Sequence, residues 1–342
     1  MNKYLKTAFF IIGLGVFAGL ISDFGISNII ENVKRSGWWF IPVVGVWGLV
    51  YYLNAWAWYY VIDAGKKKVS FPSIYGITLS GFAINYITPF VNLGGEPYRV
   101  IALKDKIGLH SAVSSVILYT MLHFLSHFIF WITAIITAGA LLSIASGLKI
   151  TLLSAFVILS VLIWFVFSRH KNGIFASLLN LLTKLPFLKG LHKKLSKKEE
   201  SLLNIDDEIK QLYNDRKNHF YFALFFEYAA RMVASLEFLF ILKAIGINIS
   251  FMEAFYINAG SSLIINLFFF MPFELGTREG GLYLVLDSLK LTPGVGIYIG
   301  LVNRVREFFW ILVGLILIQI NGKKKEKATK DIFEYMSEDT SQ

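Results

Sequence analysis

Phe71-Pro72-Ser73-Ile74-Tyr75 opens an apolar run that carries Asn85 and Pro89 and closes on Asn92-Leu93-Gly94-Gly95-Glu96-Pro97-Tyr98-Arg99. About 180 residues later, Phe251-Met252-Glu253-Ala254-Phe255-Tyr256 opens a second run, with Asn266 and Pro272, that closes on Glu274-Leu275-Gly276-Thr277-Arg278-Glu279-Gly280. Each run is long enough to reach membrane depth, contains a late proline, and ends in a glycine turn bearing charges of both signs. Lipid offers no hydrogen bonds to an interrupted backbone, so such a segment persists only inside protein or beside a wet cavity. Paired, interrupted apolar segments in corresponding halves of a chain are the sequence mark of a transporter's binding site.

Working outward, 56% of the 342 residues are hydrophobic and 16% are charged, and the mean hydropathy is +0.59. These values fit an integral membrane protein and not a soluble globule. The net charge of +10 would hint at nucleic acid in a soluble protein. Here the basic residues lie mostly in loops, where the positive-inside rule accounts for them, and no nucleic-acid partner is expected. Trp38-Trp39, Tyr51-Tyr52 and Tyr59-Tyr60 sit near span ends, where amphipathic rings favour the headgroup layer. There is no cysteine, hence no disulfide and no thiolate metal site.

Spans of about 20 apolar residues are expected near 5–22, 38–62, 111–143, 149–168, 219–245 and 294–320. The first has no A-x-A-like cleavage site and reads as an uncleaved helix. The segments 71–93 and 251–273 either cross once or enter and return. If both return, Lys66-Lys67-Lys68, Lys104 and Lys106, the stretch from Arg169, and Lys323-Lys324-Lys325 share one face with Lys3 and Lys6. That face would be cytoplasmic. The resulting fold is all-α: a polytopic helical membrane protein with about six spanning helices plus two re-entrant segments. The alternative is eight spanning helices. Units 38–143 and 219–320 then form an inverted repeat within a membrane domain of residues 1–322, ahead of a polar tail, 323–342, expected to be disordered.

Residues 171–218 are the one sizeable polar stretch. Phe175, Leu178, Leu179, Leu182, Leu185 and Leu188 mark an interfacial amphipathic helix broken by Pro186. The remainder reads as a solvated linker or a docking surface for a cytosolic partner.

The turn Gly94-Gly95-Glu96-Pro97-Tyr98-Arg99 reads as a helix start. Pro97 suits a first helical turn, the glycines admit close backbone approach, and free N–H groups with Arg99 suit a phosphate. Glu96 either positions Arg99 or receives a cationic headgroup. In the second copy, Glu274, Gly276, Thr277, Arg278 and Glu279 repeat the chemistry, with Arg278 on the phosphate side and Glu274 or Glu279 as its partner. Asn85, Asn266, Glu227, Arg231, Glu237, Arg304, Arg306 and Glu307 lie inside spans and either line a pathway or join helices. Glu227 and Arg231, four apart, form a natural intrahelical pair. His123 and His127 have metal-ligand spacing, but no carboxylate follows nearby in sequence and there is no H-E-x-x-H motif, so they read as core histidines. Gly296-x-x-x-Gly300 fits close helix packing. No metal or cofactor is expected, and the absence of a P-loop argues against ATP-driven transport within this chain.

Leu93-Gly94-Gly95-Glu96-Pro97-x-Arg99, together with Pro272-x-Glu274-Leu275-Gly276-Thr277-Arg278-Glu279-Gly280, resembles the membrane region of lysylphosphatidylglycerol synthases, a family that includes stand-alone flippase-like proteins. The resemblance implies movement of aminoacylated phosphatidylglycerol or a related lipid between leaflets of the cytoplasmic membrane. It implies sites at Gly94, Gly95, Glu96, Arg99, Gly276, Thr277, Arg278 and Glu279, and membrane phospholipids as partners, with a homo-oligomer as a further option. Only about twenty polar residues follow the last span, too few for a synthase domain of about 50 residues or more. Lipid synthesis by this chain is therefore not expected, and a membrane-embedded lipid transferase, or its membrane subunit, is the alternative.

Overall fold

The computed structural model describes residues 26–62, 69–88, 94–141, 146–169, 216–269, 276–292 and 295–339, with single positions between 173 and 210 and at 271 and 274. The expected first helix, Lys66-Lys67-Lys68, Pro89, Leu93, Pro272 and most of 171–218 lie outside these residues.

Helices α1 (Ile26–Ser36) and α2 (Phe40–Val61) are joined by a single 3-10 turn. Then follow α3 (Phe71–Ile87), α4 (Gly95–Ile107), α5 (Leu109–Leu141) and α6 (Ser146–Arg169). Beyond the linker come α7 (Lys217–Ala244), α8 (Phe251–Leu267), α9 (Thr277–Ser288) and α10 (Val295–Asp339). No strand occurs among the described residues. Val33–Val61 and Leu109–Gly139 are long and apolar enough to cross a membrane by length and composition. Glu227, Arg231 and Glu237 in α7, and Arg304, Arg306 and Glu307 in α10, interrupt otherwise apolar helices. The helix α6 exposes Leu153, Val157, Ile158, Val161, Leu162 and Trp164, an apolar face suited to lipid.

The quoted segments are the same length as helices. Both α3 and α8 have 17 residues, about 25 Å of helix. Pro72 sits in the first turn of α3, where its missing N–H costs nothing. The start of α8 is fixed instead by a capping box: Ser250 Oγ accepts from Glu253 N (3.2 Å), and Ser250 N donates to Glu253 Oε2 (2.7 Å).

Each short helix is followed by a shorter one that folds back along it. Gly95 N donates to Asn85 Oδ1 (2.5 Å) at one end of the α3–α4 pair, and Lys106 Nζ donates to Ser73 Oγ at the other. In the second pair, Gly281 packs on Ile264, Gly260 on Val285, and Ala254 and Ile257 share a core with Leu282 and Leu286. Both pairs are antiparallel hairpins whose tips carry the glycine motifs.

The packing is reciprocal. Helices α2 and α7 lie against each other, α3 lies on α10, and its counterpart α8 lies on α5. The α3–α10 contact is tight enough for Ser80 Oγ to reach Gly314 O (3.2 Å), and a Cβ on Gly314 would collide with Ala83. Such small-residue contacts suit helix association in lipid, where burial of apolar surface gives little drive. Gly296 and Gly300 likewise lie against Leu282 and Glu279 of α9.

The helix α10 runs on to Asp339 through most of the polar tail. Its Lys, Glu and Ala content has good helix propensity, and a preformed helix relieves it of the nucleation cost.

Candidate functional site

The first hairpin holds its motif by backbone proximity. A Cβ on Gly95 would strike Gly81 O and lie 2.7 Å from Asn85 Oδ1, so glycine is what lets α4 begin against α3. Asn85 Nδ2 reaches Glu96 Oε1 (3.4 Å), and the same oxygen receives Arg99 Nη1 (3.3 Å). Asn85 thus ties the hairpin together.

Arg99 is 2% exposed. Its guanidinium faces three rings: Phe82 (4.8 Å to the centroid), Tyr119 (5.2 Å) and Trp58 (5.8 Å). Those faces attract a cation but accept no conventional hydrogen bond. Nε and Nη2 of Arg99 are buried without a partner, and so are Glu96 Oε2 and Trp58 Nε1. Buried donors left unmatched each carry a desolvation penalty.

The second hairpin satisfies its arginine differently. Arg278 Nε and Nη2 donate to Glu274 Oε2 (3.2 and 2.5 Å), and Nη1 lies 2.6 Å from Glu307 Oε1. Glu279 does not pair with Arg278: its Oε1 receives Arg304 Nη2 (3.1 Å), and its Oε2 caps Gly276 N (3.0 Å). Thr277 Oγ1 donates to Glu274 O (3.0 Å). The network continues through Arg306, which makes a two-point contact with Glu237 (3.0 and 3.3 Å) and lies 3.8 Å over the ring of Trp47. Trp47 Nε1 donates to Glu237 Oε2 (2.6 Å). Tyr51, packed against Trp47 at 5.5 Å between centroids, reaches Tyr86 of the first hairpin (3.4 Å).

A third cluster lies between α2, α5 and α7. Glu227 Oε1 accepts from Asn54 Nδ2 (2.8 Å). Its Oε2 lies 2.8 Å from His123 Nδ1 and 3.4 Å from Arg231 Nη2. Arg231 also reaches His127 Nε2 (2.7 Å), Ser126 Oγ (2.8 Å) and His123 O (2.7 Å).

The expected intrahelical pair Glu227–Arg231 is therefore present, joined by both histidines. The carboxylate that His123 lacks in its sequence neighbourhood comes from 104 residues away. No group of three or more metal-ligating side chains is found among the described residues. Among the described residues, Asn266 bonds its own helix, Nδ2 to Ser262 O (2.8 Å). Sequence reasoning missed the aromatic surround of Arg99 and the Trp47 and Asn54 anchors. Aromatic residues are too frequent along this chain for those positions to stand out.

These features describe an all-helical membrane protein with two hairpins whose tips bury arginine beside carboxylate. The chain belongs to the family described as the lysylphosphatidylglycerol synthase TM region, whose model matches residues 6–314. No curated protein and no solved structure matches the chain. Family membership connects the protein with membrane lipid.

Proposed function

We propose that this protein is a multi-pass lipid translocase of the cytoplasmic membrane. In this reading Arg99 and the start of α4 receive the phosphate of a phospholipid headgroup while the acyl chains stay in the bilayer. The observation that carries it is the state of Arg99: a buried guanidinium with two nitrogens unmatched, set on aromatic faces. A phosphate oxygen would satisfy those donors with charge-assisted bonds. The free N–H groups at the start of α4 add positive potential. Given the family's description, aminoacylated phosphatidylglycerol is the first lipid to test.

The two hairpins are read as re-entrant, with the halves 38–143 and 219–320 related by inversion. Supporting this are the Lys106–Ser73 contact, which brings both ends of the first hairpin together, and the reciprocal packing of α3 on α10 and α8 on α5. Such symmetry is the basis of alternating access in transporters. The linker 171–218 is the surface available to a cytosolic partner.

Two experiments test the reading. In reconstituted vesicles containing labelled phosphatidylglycerol or its lysyl ester, R99A is expected to slow translocation at least tenfold. The E96A/R99A double variant is expected to fold and remain inactive. Full activity in the double variant would make the first motif purely structural. For topology, single cysteines at Ser70 and Lys106 in this cysteine-free chain are expected to react with a membrane-impermeant reagent from the same side. Labelling from opposite sides would establish a crossing.

A further inference from the structure

Glu227 and His123 belong to neither hairpin motif, and the translocation reading leaves them without a role. Glu227 is fully buried, while the His123 side chain is 26% exposed. One ring nitrogen of His123, Nδ1, lies 2.8 Å from Glu227 Oε2. His123 is thus the more exposed member of a pair whose carboxylate is fully buried. Intramembrane ionisable residues in such arrangements mark proton relays.

The remaining neighbours are fixed in ways that leave His123 as the variable member. Asn54 of α2 supplies an amide donor to Glu227. Arg231 of α7 pairs with Glu227 and occupies His127 Nε2, which opposes both a second proton and a metal ion there. Tyr119 of α5 lies 5.9 Å from the His123 ring in a tilted contact, and Phe82 of α3 lies 6.4 Å from it. Phe82 and Tyr119 are also two of the rings around Arg99 of α4, which carries Glu96 as its counter-ion. His123 and Arg99 therefore flank the same two aromatic side chains.

We propose that the His123–Glu227 pair is a proton-binding site in the membrane interior, loaded through His123, and that its proton is linked to occupancy of the anion position at Arg99. Loading places a proton from water on the lone pair of Nε2. The resulting imidazolium donates Nδ1–H to the Glu227 carboxylate, and unloading reverses the step. The added positive charge lies across Phe82 and Tyr119 from Arg99; at a separation on the order of 10 Å, an effective dielectric of about 20 makes the coupling roughly tenfold in affinity. Linkage is reciprocal, so a bound anion strengthens proton binding by the same factor. This second half rests on the reading of Arg99 given above; the proton site itself does not.

The full chain, purified without a histidine tag into phosphatidylcholine nanodiscs, provides the test. Histidine side-chain nitrogen resonances are followed from pH 5 to 8, the interval in which imidazole ordinarily changes charge. One titrating histidine is expected to be lost in H123Q, and proton binding at that residue is expected to weaken tenfold or more in E227Q. H123N serves as the second variant should H123Q fail to fold. Binding of dihexanoyl phosphatidylglycerol, measured by calorimetry, is expected to be about tenfold tighter at pH 5.5 than at pH 8 in the wild type, and independent of pH in H123Q. Retention of every wild-type histidine titration in H123Q would overturn the proton site. A wild-type affinity that does not change with pH would overturn the linkage. If His123 titrates but the probe binds at no pH, both the linkage and the anion reading of Arg99 fall, and the proton site stands.

Discussion

The two hairpins share a length, a fold and a place in the packing, yet they treat their arginines in opposite ways. Arg278 is surrounded by carboxylates from its own helix start and from α10, at 2.5 and 2.6 Å. Arg99 has a single carboxylate contact at 3.3 Å and three aromatic faces. The second hairpin is therefore locked to the body of the protein by an ionic network, in which Arg278 Nη1 has an ion-pair contact and Arg306 Nη1 is buried without a hydrogen bond. The first is held by the bond from Gly95 N to the Asn85 side chain, with two nitrogens of its arginine unmatched. A shared architecture carries a fastening in one half and a vacant set of hydrogen-bond donors in the other. The proposed translocation would use both: a part that stays put, and a part whose polar groups exchange partners.

The largest expected effect concerns the fastening. R278A removes the arginine partner of Glu274 and the closest partner of Glu307, both mostly buried, and leaves Glu307 the 3.8 Å contact from Arg306. Removing one member of a buried ionic network typically costs about 3–5 kcal/mol. A fall of that size is expected in the stability of detergent-solubilised protein, measured by denaturant titration or thermal melting. R99A is expected to cost less than about 2 kcal/mol. It strands only Glu96, which keeps Asn85 as a donor and is 21% exposed. Equal losses in the two variants would erase the distinction between the hairpins and make Arg99 a structural residue like Arg278.

How much of this could be read from the sequence follows from how local each feature is. Helix positions were legible because apolar runs and their punctuation are local. The expected span 38–62 corresponds to α2, 111–143 to α5 and 219–245 to α7, each within about two residues. The tips of both motifs were legible because glycine, proline and opposite charges cluster there, and the Glu96–Arg99 and Glu274–Arg278 pairs lie within one helical turn. What escaped was every pairing set by helix packing. Glu279 meets Arg304, 25 residues on; Glu237 meets Arg306, 69 residues on; His123 meets Glu227. Two charges in separate spans carry no sign of mutual distance, because the crossing of α7 with α5 and α10 decides it. The equivalence first assigned to Arg99 and Arg278 failed for the same reason: each lies near a glycine turn, but only one has carboxylates delivered from another helix.

The smaller expected effects fall on the two glycines at which the hairpins turn, and they separate contact from conformation. Gly95 is in ordinary helical geometry, but an added Cβ meets Gly81 O and Asn85 Oδ1. G95A must therefore part α4 from α3 and is expected to cost about 1–3 kcal/mol, the usual range for overpacking a filled site. Because Gly81 also abuts Arg99, where a Cβ would lie 2.6 Å from Nε, the displacement is carried directly to the guanidinium. Translocation in G95A should fall with it. Gly276 presents the opposite case. It has φ +76° and nothing within 4 Å of an added Cβ, so G276A suffers backbone strain alone, about 1–2 kcal/mol. The Glu279 and Arg278 contacts can survive that strain, since the flanking helix α9 need not move. The expected result is a modest loss of stability with the translocation rate within about threefold of wild type. That bound follows from the about 1.4 kcal/mol per tenfold scale if no more than about a third of the strain reaches the transport step. Vesicle translocation measured beside detergent stability for both variants decides the matter. A G276A variant that is stable but as inactive as G95A would place the exchanging polar groups in the second hairpin and reverse the assignment.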